Sequence, residues 1–224
     1  MIVVSRRTVL AAGGAFALTG VAHAQPVAGR AQPAPQPDAP SPIATLGDDR
    51  PKVVIHTDHG DILVALEAVK APVTSANFLR YVDAKNYDGA AFYRAVRQQG
   101  STKVGLIEGG VDDSRKLFAP IAHESTTQTG LLHLDGTLSM AREAPGTAVS
   151  DFFVCSGAAA YLDANPQAAG DNLGYAAFGQ VITGMEIVRI IMNLPTGGVA
   201  RTPSMQGQIL DPPVRILSMK RQTA

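Results

Sequence analysis

The sequence predicts a mainly β fold, namely a closed antiparallel barrel with helical plugs. Short apolar segments rich in β-branched residues recur between Gly, Pro and Asp residues, which is typical of strands joined by turns. Only two segments carry apolar residues at helical spacing. With 46% apolar and 17% charged residues among 224, the chain can bury a sizeable core in one or two domains, and disorder of the whole chain is disfavoured.

Composition also excludes several classes of function and several kinds of metal or cofactor site. Basic and acidic residues number 19 each, so the chain lacks the surplus positive charge of a nucleic-acid-binding protein. One cysteine excludes a disulfide framework and any multi-cysteine zinc or iron–sulfur site. The histidines have no recognised ligand spacing, so we expect no metal and no cofactor. No apolar run reaches the ~18 residues that a membrane span needs.

The first 24 residues have the pattern of an export signal. Arg6 and Arg7 precede a soft apolar run rich in Ala and Gly, which ends at residues 22–24 in the small-x-small cleavage pattern Ala-His-Ala. The adjacent arginines resemble a twin-arginine signal, and an ordinary secretory signal is the alternative. We therefore expect a periplasmic or secreted protein whose mature chain begins near Gln25.

Residues 25–51 are predicted to be an extended tether rich in Pro and Ala. They contain seven of the 15 prolines. Proline fixes φ and removes a backbone hydrogen-bond donor, so such a segment does not contribute to a core. The folded domain is therefore predicted to span residues 52–221.

The predicted domain opens with a hairpin and a helix. Residues 53–57 and 62–66 are strand-like, and the Asp-His-Gly-Asp sequence between them is typical of a turn. A helix is predicted to begin near Pro72, because proline suits the first helical turn. Its apolar stripe runs to Val82, and the helix is expected to end near residues 87–89.

Beyond this helix the chain divides into short apolar segments. They cover residues 91–96, 104–107, 131–134, 137–141, 152–155 and 176–182. A second helix is predicted over 185–194, where apolar residues have helical spacing, and a last strand over 214–219. Many short strands with two helices favour the closed barrel.

Residue types alone leave the chemistry open. Ser139 and Ser150 could serve a hydrolase, but the chain has no Gly-x-Ser-x-Gly sequence, so a hydrolase is poorly supported. Asp112 and Asp113 are either paired acids or part of a polar loop. Cys155 lies in an apolar segment and is expected to be a buried small residue rather than a nucleophile.

Three groups of motifs resemble one known family. They are Phe-Tyr-Arg at 92–94 with Glu-Gly-Gly at 108–110, Gly-Thr-Leu-Ser-Met-Ala-Arg at 136–142 with Ser-Asp-Phe-Phe-Val at 150–154, and Tyr-Leu-Asp at 161–163 with Gly-Tyr-Ala-Ala-Phe-Gly-Gln-Val at 174–181. In order and approximate spacing they are similar to the cyclophilins, the barrel-shaped peptidyl-prolyl cis–trans isomerases. The resemblance covers nearly the whole predicted domain. It implies a closed eight-stranded antiparallel barrel capped by two α-helices.

The resemblance also implies the site. Arg94 would be the catalytic residue, donating to the prolyl amide nitrogen as the amide twists. The implied substrate-binding residues are Phe153, Leu162 and Tyr175 in the proline pocket and Ala141 and Arg142 along the substrate backbone. No nucleophile, metal or cofactor is needed, because the reaction breaks no covalent bond.

Two carboxylates depart from the family pattern. Glu108 stands where the family usually has Gln, which orients the arginine and binds substrate. A carboxylate at this position would either restrain Arg94 or fix its guanidinium in place. Asp151 also stands in place of a frequent Gln, so contacts with the peptide backbone are expected to differ.

The segment before Glu108 departs from the pattern as well. The interval between the arginine and the Gly-Gly pair is longer than in the commonest form of the family. Gly105 stands where an apolar pocket residue is usual, and Leu106 or Val104 would replace that residue.

Three functional hypotheses follow. The first is a monomeric peptidyl-prolyl cis–trans isomerase that assists the folding of exported proteins, its partners being proline-containing polypeptides. The alternative is a cyclophilin-fold module or chaperone that binds proline-containing segments with weak or no catalysis, and Glu108 and Gly105 motivate it. The third is a hydrolase that uses Ser139 or Ser150.

Overall fold

The structure is a computed structural model that describes residues 48–167 and 170–222. The predicted export signal at 1–24 and residues 25–47 of the predicted tether lie outside this part of the chain. The strands are β1 (Lys52–Thr57), β2 (Gly60–Leu66), β3 (Ala91–Arg97), β4 (Gly105–Gly110), β5 (Thr137–Met140), β6 (Phe152–Ser156), β7 (Ala176–Thr183) and β8 (Ile209–Gln222). They form a closed antiparallel barrel in the order β1-β2-β7-β5-β6-β4-β3-β8, which confirms the predicted fold class.

The opening hairpin and the last strand close the barrel. Strand β1 pairs with β2 from Lys52 to Thr57, as the alternation of β-branched residues predicts. Val53 and Ile55 point into the barrel and are 0% exposed. Strand β8 is longer than predicted because it pairs with β1 along its second half and with β3 along its first half. The first strand and the last strand therefore lie side by side in one sheet.

Within residues 48–167 and 170–222, three α-helices accompany the barrel, namely α1 (Pro72–Asp83), the single-turn α2 (Thr126–Thr129) and α3 (Met185–Met192). Both predicted helices are confirmed, whereas α2 is too short to show an apolar stripe in the sequence. Helix α1 ends at Asp83, earlier than predicted, because Lys85 adopts a left-handed φ of 56°. Tyr87 is nevertheless 0% exposed, which explains why the apolar pattern continues beyond the helix.

A distant carboxylate caps the first turn of α1. Ala71 at the N-cap makes no side-chain hydrogen bond. Glu124 instead accepts hydrogen bonds from the backbone N of Val73 at 3.0 Å and of Thr74 at 2.8 Å, and from Thr74 Oγ1 at 2.6 Å. The first N–H groups of a helix lack intrahelical partners and favour negative charge. Glu124 therefore fastens the segment between β4 and β5 to this helix.

Aromatic rings fill the interior at the end covered by α1. The ring of Phe78 lies 5.3 Å from the rings of Tyr87, Phe152 and Phe178. All four side chains are 0% exposed. Tilted and edge-to-face contacts of this kind add to the free energy of apolar burial. They fix α1 against β6 and β7.

One predicted apolar segment is not a strand. Residues 131–134 form a loop. The backbone N of His133 donates to Asp163 Oδ1 at 2.9 Å, and that of Leu134 donates to Thr137 Oγ1 at 2.9 Å. Because side chains rather than a neighbouring strand satisfy these N–H groups, the segment does not join the β-ladder.

Contacts with the barrel begin a few residues before β1. Arg50 Nη1 donates to Glu67 Oε1 at 2.6 Å, and the carbonyl oxygen of Pro51 accepts from the backbone N of Leu66 at 2.9 Å. The last residues of the predicted tether are thus bound to the end of β2.

Two kinds of feature are absent from the described part of the chain, namely a membrane-spanning helix and a group of metal ligands. None of its helices has the length and apolar character to cross a membrane. No three His, Cys, Asp or Glu side chains within residues 48–167 and 170–222 lie close enough together to hold a metal ion.

Candidate active site

Strand β3 places two consecutive side chains on the same face of the barrel. Its register pairs Phe92 with Gly109 and Arg94 with Glu108, so Tyr93 is the extra residue of a β-bulge. Neighbouring side chains of a regular strand point to opposite faces, and a bulge re-aims one of them. Phe92 accordingly lies in the core, while Tyr93 and Arg94 both reach Glu108.

Two neighbours hold the Arg94 guanidinium. Its Nη1 donates to Glu108 Oε2 at 2.6 Å, and its Nε donates to Gln208 Oε1 at 2.8 Å. The side chains of Arg94 and Glu108 are 22% and 8% exposed, so this ion pair is largely shielded from water. Among the described residues Nη2 has no hydrogen-bond partner, and this edge of the guanidinium can therefore donate to a ligand.

A second carboxylate lies behind this ion pair. Tyr93 Oη is 2.9 Å from Glu108 Oε1 and 3.0 Å from Asp151 Oδ2, and Asp151 Oδ1 accepts from Ser150 Oγ at 3.1 Å. Gly110 leaves room for this arrangement, because a Cβ there would overlap the Asp151 carboxyl. Burial raises the pKa of Asp151 above its ordinary value and raises the pKa of the Tyr93 hydroxyl. The tyrosine therefore keeps its proton.

An apolar cluster, separate from the barrel core, lies beside the ion pair. Its members are Leu106, Phe153, Cys155, Ala159 and Leu162, with Val96, Ala141 and Tyr175 packed against them. The rings of Phe153 and Tyr175 meet edge to face at 5.5 Å. Glu108 pairs with Phe153 across β4 and β6, and directly opposed residues share a face of the sheet. The barrel register thus sets the ion pair next to the apolar cluster.

Strand β4 shows which residue completes the apolar wall. Leu106 lies in the cluster and is 8% exposed, whereas Val104 lies beside Gly157. Gly105 is required by close packing, because a Cβ there would overlap the carbonyl oxygen of Val96. Of the two candidates from the sequence, Leu106 is therefore the residue at the site.

A buried histidine stacks against Phe153. The rings of His133 and Phe153 are 5.9 Å apart with 15° between their planes. His133 Nδ1 lies 2.6 Å from Asp163 Oδ1, and Nε2 lies 2.8 Å from Ser139 Oγ. Burial lowers the pKa of His133 against the opposing effect of Asp163, so the neutral ring donates to Asp163 and accepts from Ser139. This network fixes the surface on which Phe153 rests.

The same network has the residue types of a hydrolase triad, but its serine is inaccessible. Ser139 is 0% exposed, so no acyl substrate can reach its Oγ. Ser150 is 1% exposed, and its Oγ donates to Asp151 rather than to a histidine. Cys155 is buried as predicted, and burial raises the pKa of its thiol to about 12. None of these groups is placed as a nucleophile.

Arg142 is bound to the loop that carries Tyr175. It donates to the two carboxylate oxygens of Asp171 at 2.8 and 3.0 Å and to the carbonyl oxygen of Gly174 at 3.2 Å. These hydrogen bonds lower the pKa of Asp171 to about 2. The Arg142 guanidinium also lies 5.4 Å from the centroid of the Tyr175 ring. Its side chain thus positions Tyr175 instead of extending towards a ligand.

The geometry agrees with comparisons between this chain and known proteins. The sequence model of the family described as "Cyclophilin type peptidyl-prolyl cis-trans isomerase/CLD" matches residues 52–221. The chain belongs to the cyclophilin family. It is therefore an enzyme of the peptidyl-prolyl cis–trans isomerase class.

Curated relatives and solved structures lead to the same family. A peptidyl-prolyl cis-trans isomerase of Acinetobacter baylyi is 34% identical over 173 residues, which cover 75% of this chain and 84% of the relative. Peptidyl-prolyl cis-trans isomerase A of Dickeya dadantii is 36% identical over 151 residues, covering 66% and 74% of the two chains. A crystal structure of a Cryptosporidium parvum cyclophilin, determined in the presence of the dipeptide Ala-Pro, shares the fold with a TM-score of 0.57 at 21% identity, covering 77% of this chain and 99% of that one.

The cyclophilin barrel brings most of the sequence-predicted site residues together. Those on one face are Arg94, Glu108, Leu106, Phe153, Leu162, Tyr175 and Ala141. Sequence reasoning missed the contributions of Tyr93, Gln208 and His133 to the site. Gln208 is 114 residues from Arg94 in the chain, so no local motif joins the two. Tyr93 lies within the Phe-Tyr-Arg motif, but the bulge that turns it towards Glu108 has no sequence signal.

Proposed function

We propose that this chain catalyses cis–trans isomerisation of prolyl bonds in exported polypeptides, with Arg94 donating to the amide nitrogen of the twisted bond. The observation that carries this proposal is the juxtaposition of a guanidinium edge and an apolar cluster. Arg94 is held by hydrogen bonds to Glu108 and Gln208, and the apolar cluster of Leu106, Phe153 and Leu162 lies beside it.

The chemistry of the reaction matches these two elements. An X–Pro bond prefers trans by only ~0.5–1 kcal/mol, yet its rotation must cross a barrier of ~18–20 kcal/mol that arises from amide resonance. As the amide twists, its nitrogen becomes pyramidal and gains a lone pair. A donor aimed at this nitrogen binds the transition state better than the ground state, which is the requirement for catalysis.

The two elements share the rate enhancement. A charge-assisted hydrogen bond contributes ~1.5–3 kcal/mol, which corresponds to roughly 10- to 100-fold in rate. The apolar cluster supplies the remainder by gripping the proline ring and excluding water from the amide. Phe153 and Tyr175, which are held by His133 and Arg142, give this surface a fixed shape.

The clients follow from the N-terminal sequence. Residues 1–24 have the pattern of an export signal, and the arginine pair resembles the twin-arginine type. We accordingly place the enzyme in the periplasm or outside the cell, where it would assist folding of proteins that contain prolyl bonds.

The Glu108→Gln variant tests how the ion pair affects catalysis. Removing the carboxylate charge weakens its hold on Arg94 while a side-chain oxygen remains to orient the guanidinium. We expect kcat for an Ala-Pro peptide to rise about 2- to 10-fold, as for loss of one ordinary hydrogen bond. Exchange between the cis and trans peptide signals in NMR measures this rate.

Glu67→Gln provides a matched control, since Glu67 pairs with Arg50 away from the site. An unchanged or lower rate for Glu108→Gln alone would show that the carboxylate does not restrain Arg94. Peptide binding by the wild type without any acceleration of exchange would favour the alternative function, a module that binds proline-containing segments.

A further inference from the structure

The Tyr93 hydroxyl lies between two carboxyl groups, and its single hydrogen cannot satisfy both contacts. A phenolic hydroxyl has one hydrogen. Tyr93 Oη nevertheless lies within hydrogen-bond distance of two carboxylates, 2.9 Å from Glu108 Oε1 and 3.0 Å from Asp151 Oδ2. If both carboxylates were ionised, one of these contacts would bring two acceptors together. Both contacts are satisfied when one carboxyl is protonated and donates to Tyr93 Oη.

The surrounding charges assign this proton to Asp151. Glu108 already accepts a charge-assisted hydrogen bond from the Arg94 guanidinium at 2.6 Å. The hydrogen-bond partners of Asp151 within the described residues are two hydroxyls, those of Tyr93 and Ser150. The chain Asp151–Tyr93–Glu108–Arg94 then has a single consistent direction, with each group donating to the next until Glu108 accepts from both sides.

Three other charged or titratable side chains lie near Asp151, namely those of Arg201, Tyr81 and Tyr87, and none of them is a hydrogen-bond partner of its carboxyl group. The Arg201 guanidinium lies 5.7 Å from the centroid of the Tyr93 ring and pairs with the exposed Asp112. Burial raises the pKa of Asp151; the hydrogen bonds from the Tyr93 and Ser150 hydroxyls and the positive charge of Arg201 oppose this effect, while the charge of Glu108 adds to it. The hydroxyls of Tyr81 and Tyr87 lie close enough for the Asp151 charge to affect their own pKa values, and burial keeps Tyr87 protonated.

We propose, on the basis of the role proposed above for Arg94, that Asp151 and Tyr93 are positioning residues that control how tightly Glu108 holds the catalytic guanidinium. With Asp151 protonated, Tyr93 donates a hydrogen bond to Glu108. This bond partly stabilises the negative charge of Glu108, so Glu108 holds Arg94 less tightly and Arg94 is more available to the prolyl amide. With Asp151 ionised, both carboxylates compete for the single hydroxyl hydrogen of Tyr93, so Glu108 loses part of this hydrogen bond. Glu108 then interacts more strongly with Arg94, and the net charge of the site becomes negative.

The expected consequence is a fall in kcat as the pH rises through the titration of Asp151. Since burial raises the pKa of Asp151, the step is expected at a higher pH than the titration of an ordinary aspartate. We expect kcat for a blocked Ala-Pro peptide without ionisable side chains to fall about 2- to 10-fold across the step, the effect of one redirected hydrogen bond. NMR exchange measures kcat without a pH-sensitive coupling enzyme.

Variants of the full chain separate this proposal from a merely structural role. Asp151→Asn imitates the protonated carboxyl, because its amide donates to Tyr93 Oη and its oxygen accepts from Ser150. This variant should keep, at every pH, the higher kcat that the wild type shows at low pH, and its kcat should not fall as the pH rises. Tyr93→Phe should also lose the step, because it cuts the connection between the carboxyls. Asp113→Asn is the matched control and should retain the step, since Asp113 pairs with Arg115 outside the site.

The protonation itself is measured by the carboxyl ¹³C shifts of Asp151 and Glu108 as a function of pH. The Asp151 signal should titrate above the ordinary range in the wild type and at lower pH in Glu108→Gln, where the like charge is gone. Titration of Asp151 in the ordinary range, or a step that persists in Asp151→Asn, would overturn the proposal. A wild type inactive at every pH would instead contradict the proposed function, and the carboxyl titration would still decide whether Asp151 carries the proton.

Discussion

The Arg94→Ala variant is expected to isomerise an Ala-Pro peptide with kcat/KM about 10- to 100-fold below the wild type. The variant loses the guanidinium that, in the proposed mechanism, donates to the pyramidal amide nitrogen. Because this interaction forms as the bond twists, the loss should fall mainly on kcat, with KM changed much less. NMR exchange over a range of peptide concentrations separates the two constants.

Two further substitutions sharpen this prediction. Arg94→Lys keeps the charge but loses the planar fork that contacts Glu108, Gln208 and a ligand at once, so it should recover only part of the activity. Arg215→Ala removes an exposed arginine on β8 and should leave kcat unchanged. Full activity of Arg94→Ala would remove the guanidinium from the mechanism.

The Phe153→Ala variant is expected to lower kcat/KM about 10- to 100-fold, largely through a higher KM. Burying a side chain of this size contributes ~1.5–3 kcal/mol, and the ring packs between those of His133 and Tyr175. The protein should also lose stability, because the ring is only 4% exposed and its removal leaves a cavity. Peptide titration at a temperature where the variant remains folded measures the change in KM.

The neighbouring Phe152 provides the matched control. Its ring points into the core, is 0% exposed and contacts Phe78 at 5.3 Å. Phe152→Leu should therefore lower the midpoint of urea unfolding while the folded protein keeps its KM. Equal effects of the two variants on KM would show that Phe153 acts through stability rather than through contact with proline.

The sequence predicts those parts of the fold that depend on local periodicity. The first hairpin and α3 follow from apolar spacing, and both are present. Helix α1 is predicted with its beginning at Pro72, but its end is set by the left-handed backbone of Lys85. The single-turn α2 and the loop at 131–134 depend on side-chain hydrogen bonds that join distant segments, and periodicity carries no trace of such bonds.

The site was predictable to the extent that it follows the motifs. Arg94 and Phe153 are identified by resemblance, and the register of β3, β4 and β6 places both beside Glu108. The role of Asp151 was not predictable, because it depends on a one-residue bulge at Tyr93. In a regular strand, Tyr93 and Arg94 would point to opposite faces and could not share a carboxylate.

The most direct test of the account is the slow, proline-limited refolding of a substrate protein in the presence of this enzyme. At enzyme concentrations far below that of the substrate, the wild type should accelerate the slow phase in proportion to its concentration, because each molecule turns over many prolyl bonds. The Arg94→Ala variant should lose most of this acceleration. A wild type that binds the refolding chain but leaves the slow phase unchanged would contradict the catalytic account.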